Sequence, residues 1–125
     1  MEKKIYDLHE ENNNMLNQLS FYGDEIKIMQ SRIQEIAAKN NQKELLAQVE
    51  HFQNQLIIQK EQLDILSHNI RENNAQLEQH VLNNPIAIDH RKSEENLANK
   101  NGMEQYEKIF NELRHELNSF LSKTM

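Results

Sequence analysis

The chain has no cysteine and no tryptophan, and only one proline and two glycines in 125 residues. Without cysteine there is no disulfide framework and no thiolate chemistry. A β protein needs turn residues about every eight to twelve positions. Glycine and proline are too scarce for that, so the chain is expected to be helical. No apolar run approaches the roughly 20 residues that a membrane-spanning helix needs. The opening stretch, MEKKIYDLHEENNNML, lacks an apolar segment and does not read as a secretory signal. A basic excess is missing too: 20 acidic residues face 14 Lys and Arg, for a net charge of −6. Nucleic-acid binding or an anionic membrane surface would call for the opposite sign. A cytoplasmic location is the default expectation. The abundance of asparagine, glutamine, isoleucine and lysine suggests an AT-rich bacterial genome.

What is present is periodic. Ile5, Leu8, Asn12, Met15, Leu19, Tyr22, Ile26, Met29, Ile33 and Ile36 follow one another at alternating steps of three and four. That is a heptad seam, and only Asn12 interrupts it with a polar side chain. A second seam comprises Leu45, Val49, Phe52, Leu56, Gln59, Leu63, Leu66, Ile70, Asn73, Leu77 and His80. Asn40 and Asn41 are turn candidates between the two, because asparagine tolerates left-handed geometry. Pro85 sets the end of the second helix. A third seam runs through Met103, Tyr106, Phe110, Leu113, Leu117 and Phe120, flanked by Ile109 and Leu121.

The expected fold is all-α, a single domain over residues 1–125. It is an antiparallel three-helix bundle built on a long coiled-coil hairpin, with helices at about 3–39, 42–83 and 94–122. Residues 85–101 read as a polar connecting segment, with Ile86 and Ile88 as anchors and Ser93, Glu94 and Glu95 as a helix start. Asn101–Gly102 reads as a second start or a break. Folding the chain at residues 40–41 sets Ile36 on Leu45, Ile33 on Val49, Met29 on Phe52 and Ile26 on Leu56. The same register sets Tyr22 on Gln59, Leu19 on Leu63, Met15 on Leu66 and Asn12 on Ile70. Phe21 and Ile28, and likewise Ile58 and Ile65, form a second stripe seven residues apart on each arm. The third helix is expected to cover this stripe with Tyr106 and Phe110, leaving the hairpin tip overhanging. In outline this resembles a spectrin repeat, in architecture alone.

Candidate chemistry is sparse. NELRHE, residues 111–116, places Glu112 three before His115, the spacing that paired helices use to hold two metals. Phe110, Leu113 and Leu117 mark the buried side of that helix, so Glu112 and His115 should face water. None of the other histidines has a carboxylate three residues before it. His9, His80 and His90 cluster near the open end of the hairpin without a compact zinc motif. Asn12, Gln59 and Asn73 interrupt the seams, where buried amides set register, and Tyr22 is levelled with Gln59 for a hydrogen bond. The asparagine-rich open end is the part expected to move. Gly23 sits mid-helix, suited to a bend or a close approach of the third helix, or simply tolerated there. Met15, Met29 and Met103 read as core.

No nucleophile, phosphate loop or desolvated carboxylate pair is evident. The expectation is a non-enzymatic bundle without a cofactor, acting on a protein partner or by self-association as a homodimer. Phe21, Ile28, Ile58, Ile65, Tyr106 and Phe110 are the candidate interaction residues. No nucleic-acid, membrane or small-molecule partner is evident. One alternative is a small acidic chaperone or regulator that shields an amphipathic helix of a client, similar in shape and charge to some bacterial secretion chaperones. A metal-dependent bundle enzyme is the other.

Overall fold

A computed structural model of the chain describes residues 5–83 and 90–124. These form three helices in chain order: α1 (Ile5–Lys39), α2 (Lys43–Asn83) and α3 (His90–Thr124). No strand occurs among the described residues. None of the helices is long and apolar enough to cross a membrane. Pro85, Ile86 and Ile88 lie outside the described residues, as do the side chains of His80, His90 and Ser93.

The hairpin closes through Asn40, Asn41 and Gln42. Asn40 acts through its side chain and not through a left-handed backbone. Its Nδ2 donates to the Ile36 carbonyl at 2.9 Å, satisfying an acceptor that the helix end leaves open. No described residue has a positive φ. Lys39 lies in the last turn of α1 and Glu44 in the first turn of α2, the signs that each helix dipole favours.

The described side chains of all three seams point inward. Leu19, Ile33, Leu56, Ile70, Phe110 and Leu117 are fully buried, and a continuous core runs from Met15 on α1 to Leu121 on α3. Each such leucine, isoleucine or phenylalanine contributes about 1.5–3 kcal/mol by leaving water. The helix α3 runs antiparallel to α2. Tyr106 donates its hydroxyl to the Gln59 carbonyl at 3.2 Å, and the rings of Phe52 and Phe120 stand 5.1 Å apart.

The contacts between α1 and α2 differ from the expected pairing. Asn12 bonds to Asn73 and Asn74, not to Ile70. The Cβ position of Gly23, rather than Leu19 alone, faces Leu63, at 3.9 Å. Side chains on a helix lean toward its own N-terminus, so residues that touch across an antiparallel pair are not those at equal backbone height, which accounts for the offset.

The third helix also begins earlier than expected. It starts at His90 rather than at about residue 94, so the polar stretch that also read as a connecting segment is helical from residue 90 on, and Asn101–Gly102 neither starts nor breaks α3. A Cβ on Gly102 would lie 3.5 Å from Leu66 Cδ1, so α3 passes close over α2 at that point. Two of these polar residues bond to the hairpin, Glu95 to the buried amide of Asn73 and Asn96 to the carboxylate of Glu11. At 35 residues, α3 is as long as α1, and its added length covers the open end of the hairpin. Near the turn, Leu45 and Leu46 are only half-buried.

Candidate interaction surface and buried polar layer

The NELRHE segment lies in the C-terminal half of α3. Leu113 is buried, whereas Glu112 and His115 are exposed on the outer face. Among the described residues no group of three His, Cys, Asp or Glu could hold a metal ion. The residue between them, Arg114, was not singled out by pattern. It turns back toward α1, where Nη2 bonds to Glu25 Oε1 at 2.9 Å. Its guanidinium stands 5.0 Å from the Phe110 ring centre and 5.9 Å from that of Tyr22, within reach of cation–π attraction.

Those rings belong to an aromatic cluster. Tyr22 lies 4.6 Å from Phe110 and 5.8 Å from Tyr106, and Tyr106 stacks on Phe110 at 5.9 Å. Tyr22 therefore engages α3, and no hydrogen bond joins it to Gln59. Burial raises the Tyr22 hydroxyl above the ordinary tyrosine value, and the charge and hydrogen bond of Glu107 add to that. Burial likewise raises Tyr106, with Tyr22 and Asp64 adding to it.

The six candidate interaction residues separate into two groups. Tyr106 and Phe110 are buried against Tyr22 in the core. Phe21, Ile28, Ile58 and Ile65 remain exposed, at 74%, 54%, 45% and 55%. The expected covering of this stripe by α3 does not occur. Instead α3 seats on the main seam, between the two halves of the stripe. Phe21 lines an opening with Tyr22, Glu25 and Arg114 on the α1–α3 side. Ile65 lines a cleft of about 240 Å³ on the α2–α3 side, together with Leu66, Gly102, Tyr106 and Ile109. Ile109 is 52% exposed there. Ile58 precedes Ile65 by two helical turns on the same edge of α2. The rim of the cleft carries the uncharged amides of Gln62, Asn69 and Gln105, and the buried Gln59 lines it as well.

A second feature crosses the core near the open end. Asn12, Asn73 and Asn96 are buried, one from each helix. Asn12 Nδ2 donates to Asn73 Oδ1 at 2.9 Å and to Asn74 Oδ1 at 3.0 Å. Asn73 Nδ2 donates to Glu95 Oε2 at 3.0 Å, and Asn96 Nδ2 to Glu11 Oε2 at 3.4 Å. Glu11 neighbours Asn12 and Glu95 neighbours Asn96, so the bonds close a belt around all three helices. Asn74 Nδ2 extends it to Asn13 Oδ1 at 3.0 Å. Asn12 and Asn73 were legible as seam interruptions. Asn96 was not, although it lies one heptad before the third seam at Met103. The oxygens Asn12 Oδ1, Asn96 Oδ1 and Gln59 Oε1 have no protein partner. Buried acceptors of that kind cost about 1–3 kcal/mol each.

No protein-family model, curated protein or solved structure matches this chain.

Proposed function

We propose that this chain is a non-enzymatic helical bundle that acts through protein–protein contacts, as a scaffold or self-associating module. One observation carries the reading: Ile58, Ile65 and Ile109 stay about half exposed beside an open cleft, although the seam next to them is filled. Large apolar side chains gathered at a groove mark contact surfaces on soluble proteins. A groove between two helices also suits an added helix. The same groove supports the second reading, a small acidic chaperone or regulator that holds an amphipathic helix of a client. The proposal includes the cytoplasmic location expected from composition, and it reads the heptad seams as coiled-coil packing.

The test is a photo-reactive side chain placed at Ile65 in the native cell. The expected result is a protein adduct of defined mass. The same group at Gln34, on the exposed outer face of α1, should give none. Equal labelling at both positions, or none at Ile65, would contradict the proposal.

A further inference from the structure

We infer that the occupant of the α2–α3 groove is a second copy of this chain, related by a two-fold axis, with the two α2 helices antiparallel. The inference rests on the protein-contact reading above.

The edge of α2 beside the groove presents one residue every seven: His51, Ile58, Ile65 and Glu72, all exposed. Reversed and laid on itself about the point midway between Ile58 and Ile65, this column is self-complementary. Ile58 meets Ile65 of the second copy, and the reverse contact repeats it. His51 meets Glu72 of the second copy at both ends. A parallel arrangement would instead set histidine on histidine and glutamate on glutamate. Opposite polar or charged partners stabilise a helix pair and like ones oppose it.

The neighbouring edge of α3 repeats the symmetry. Gly102 and Ile109 also lie seven apart and both line the cleft. Gly102 passes over Leu66, and Tyr106 reaches the Gln59 carbonyl, so the midpoint of this pair stands at the height of the α2 midpoint. The axis that joins Ile58 to Ile65 therefore lays Ile109 over Gly102 of the second copy. A branched side chain then meets the one position on that edge that has none.

Charge agrees with a like partner. The chain carries −6, which opposes self-association in general. The cleft rim of Gln62, Asn69 and Gln105 is uncharged, and Gln62 and Gln105, which stand beside the axis, each supply both a donor and an acceptor to their symmetry mates. Two features keep the contact weak. Glu61, beside the axis, meets its own copy, and Glu72 is shared with His68 of its own helix at 3.4 Å. Added salt should therefore strengthen association by screening Glu61 and the net charge.

Because the chain has no cysteine, introduced thiols are unique. Within one chain residues 51 and 72 lie roughly 30 Å apart along α2 and cannot be bridged. The experiment mixes His51→Cys protein with Glu72→Cys protein under mild oxidation. Both sites are exposed, so folding is expected to persist, and circular dichroism checks it. The expected result is a covalent dimer joining 51 to 72 as the dominant product, lost when Ile109→Glu is added to both proteins. Links of 51 to 51 and 72 to 72 at equal yield would overturn the antiparallel pairing. Absence of any dimer, with an Ile65 photo-adduct whose mass is not twice the chain, would overturn the second copy while leaving the contact surface standing. Absence of both dimer and adduct would remove both readings.

Discussion

Asn12 and Asn73 meet in the core with Asn12 Nδ2 donating to Asn73 Oδ1 at 2.9 Å, a hydrogen bond between residues 61 apart in sequence. It fixes which turn of α1 faces which turn of α2, because any slide of the hairpin would strand both amides among leucines. Asn73→Leu should lower stability by about 1–3 kcal/mol, since it leaves the Asn12 amide with fewer partners. Replacing Asn12 by leucine as well should recover most of that loss, because both buried amides are then gone. Urea unfolding of the two singles and the double measures the coupling. Strict additivity would show that the pair does not act as a unit.

Two phenylalanines separate core from surface. Phe110 is fully buried between Tyr22 and Tyr106, whereas Phe21 is 74% exposed on the next face of α1. Phe110→Ala should cost about 3–5 kcal/mol and lower the thermal midpoint sharply. Phe21→Ser should change stability by less than about 0.5 kcal/mol. Comparable losses at the two positions would mean that α3 covers Phe21 after all.

Gly23 lies inside α1, where glycine costs about 1 kcal/mol relative to alanine. A Cβ at that site would sit 3.9 Å from Leu63 Cδ1, an ordinary contact distance. Of the three readings of this glycine, a close approach by α3 gives way to a neighbour on α2 at ordinary contact distance, which fits a glycine that is merely tolerated. Gly23→Ala should therefore raise stability by about 0.5–1 kcal/mol. Chemical denaturation checks this, and a destabilised variant would show that the glycine is required.

Alkaline pH should weaken the fold through its buried tyrosines. Burial holds Tyr22 and Tyr106 protonated above the ordinary value of 10.0. In the unfolded chain both ionise at the ordinary value, so above it the unfolded state binds fewer protons than the folded one. Their contribution is fully present below about pH 10 and is lost as pH rises toward and through the folded values. The thermal midpoint should fall above about pH 10, with a shallower fall in Tyr106→Phe. Phenolate absorbance of the folded protein provides the check. Ionisation of Tyr22 and Tyr106 at the ordinary value would contradict the packing described.

The hairpin was legible because its apolar spacing is regular over long helices and is broken only by Asn12, Gln59 and Asn73 before it ends at His80. The inward direction of the third seam followed in the same way from Phe110, Leu113 and Leu117. Periodicity could not show which of two stripes α3 would occupy. Phe21 and Ile28 repeat every seven residues just as the main seam does, and both patterns fit a helical partner. The start of α3 was hidden for a different reason. The expected start at residue 94 falls four residues inside α3, because HRKS at 90–93 carries no apolar spacing to extend the seam. Arg114 carries no pattern signal at all, since its partners Glu25, Tyr22 and Phe110 are brought together by tertiary packing. Ile58 and Ile65 were legible as interaction candidates, but Ile109 gained that role only when the α2–α3 cleft placed it beside them.

The measurement to make is solution mass by light scattering on a sizing column, over a wide concentration range, for the wild-type chain and for Ile58→Glu/Ile65→Glu. The wild type should rise from the 14.9 kDa monomer toward twice that mass as concentration increases, and the variant should stay at the monomer mass. A constant monomer for both proteins would contradict self-association through this groove. So would a mass that rises equally in both.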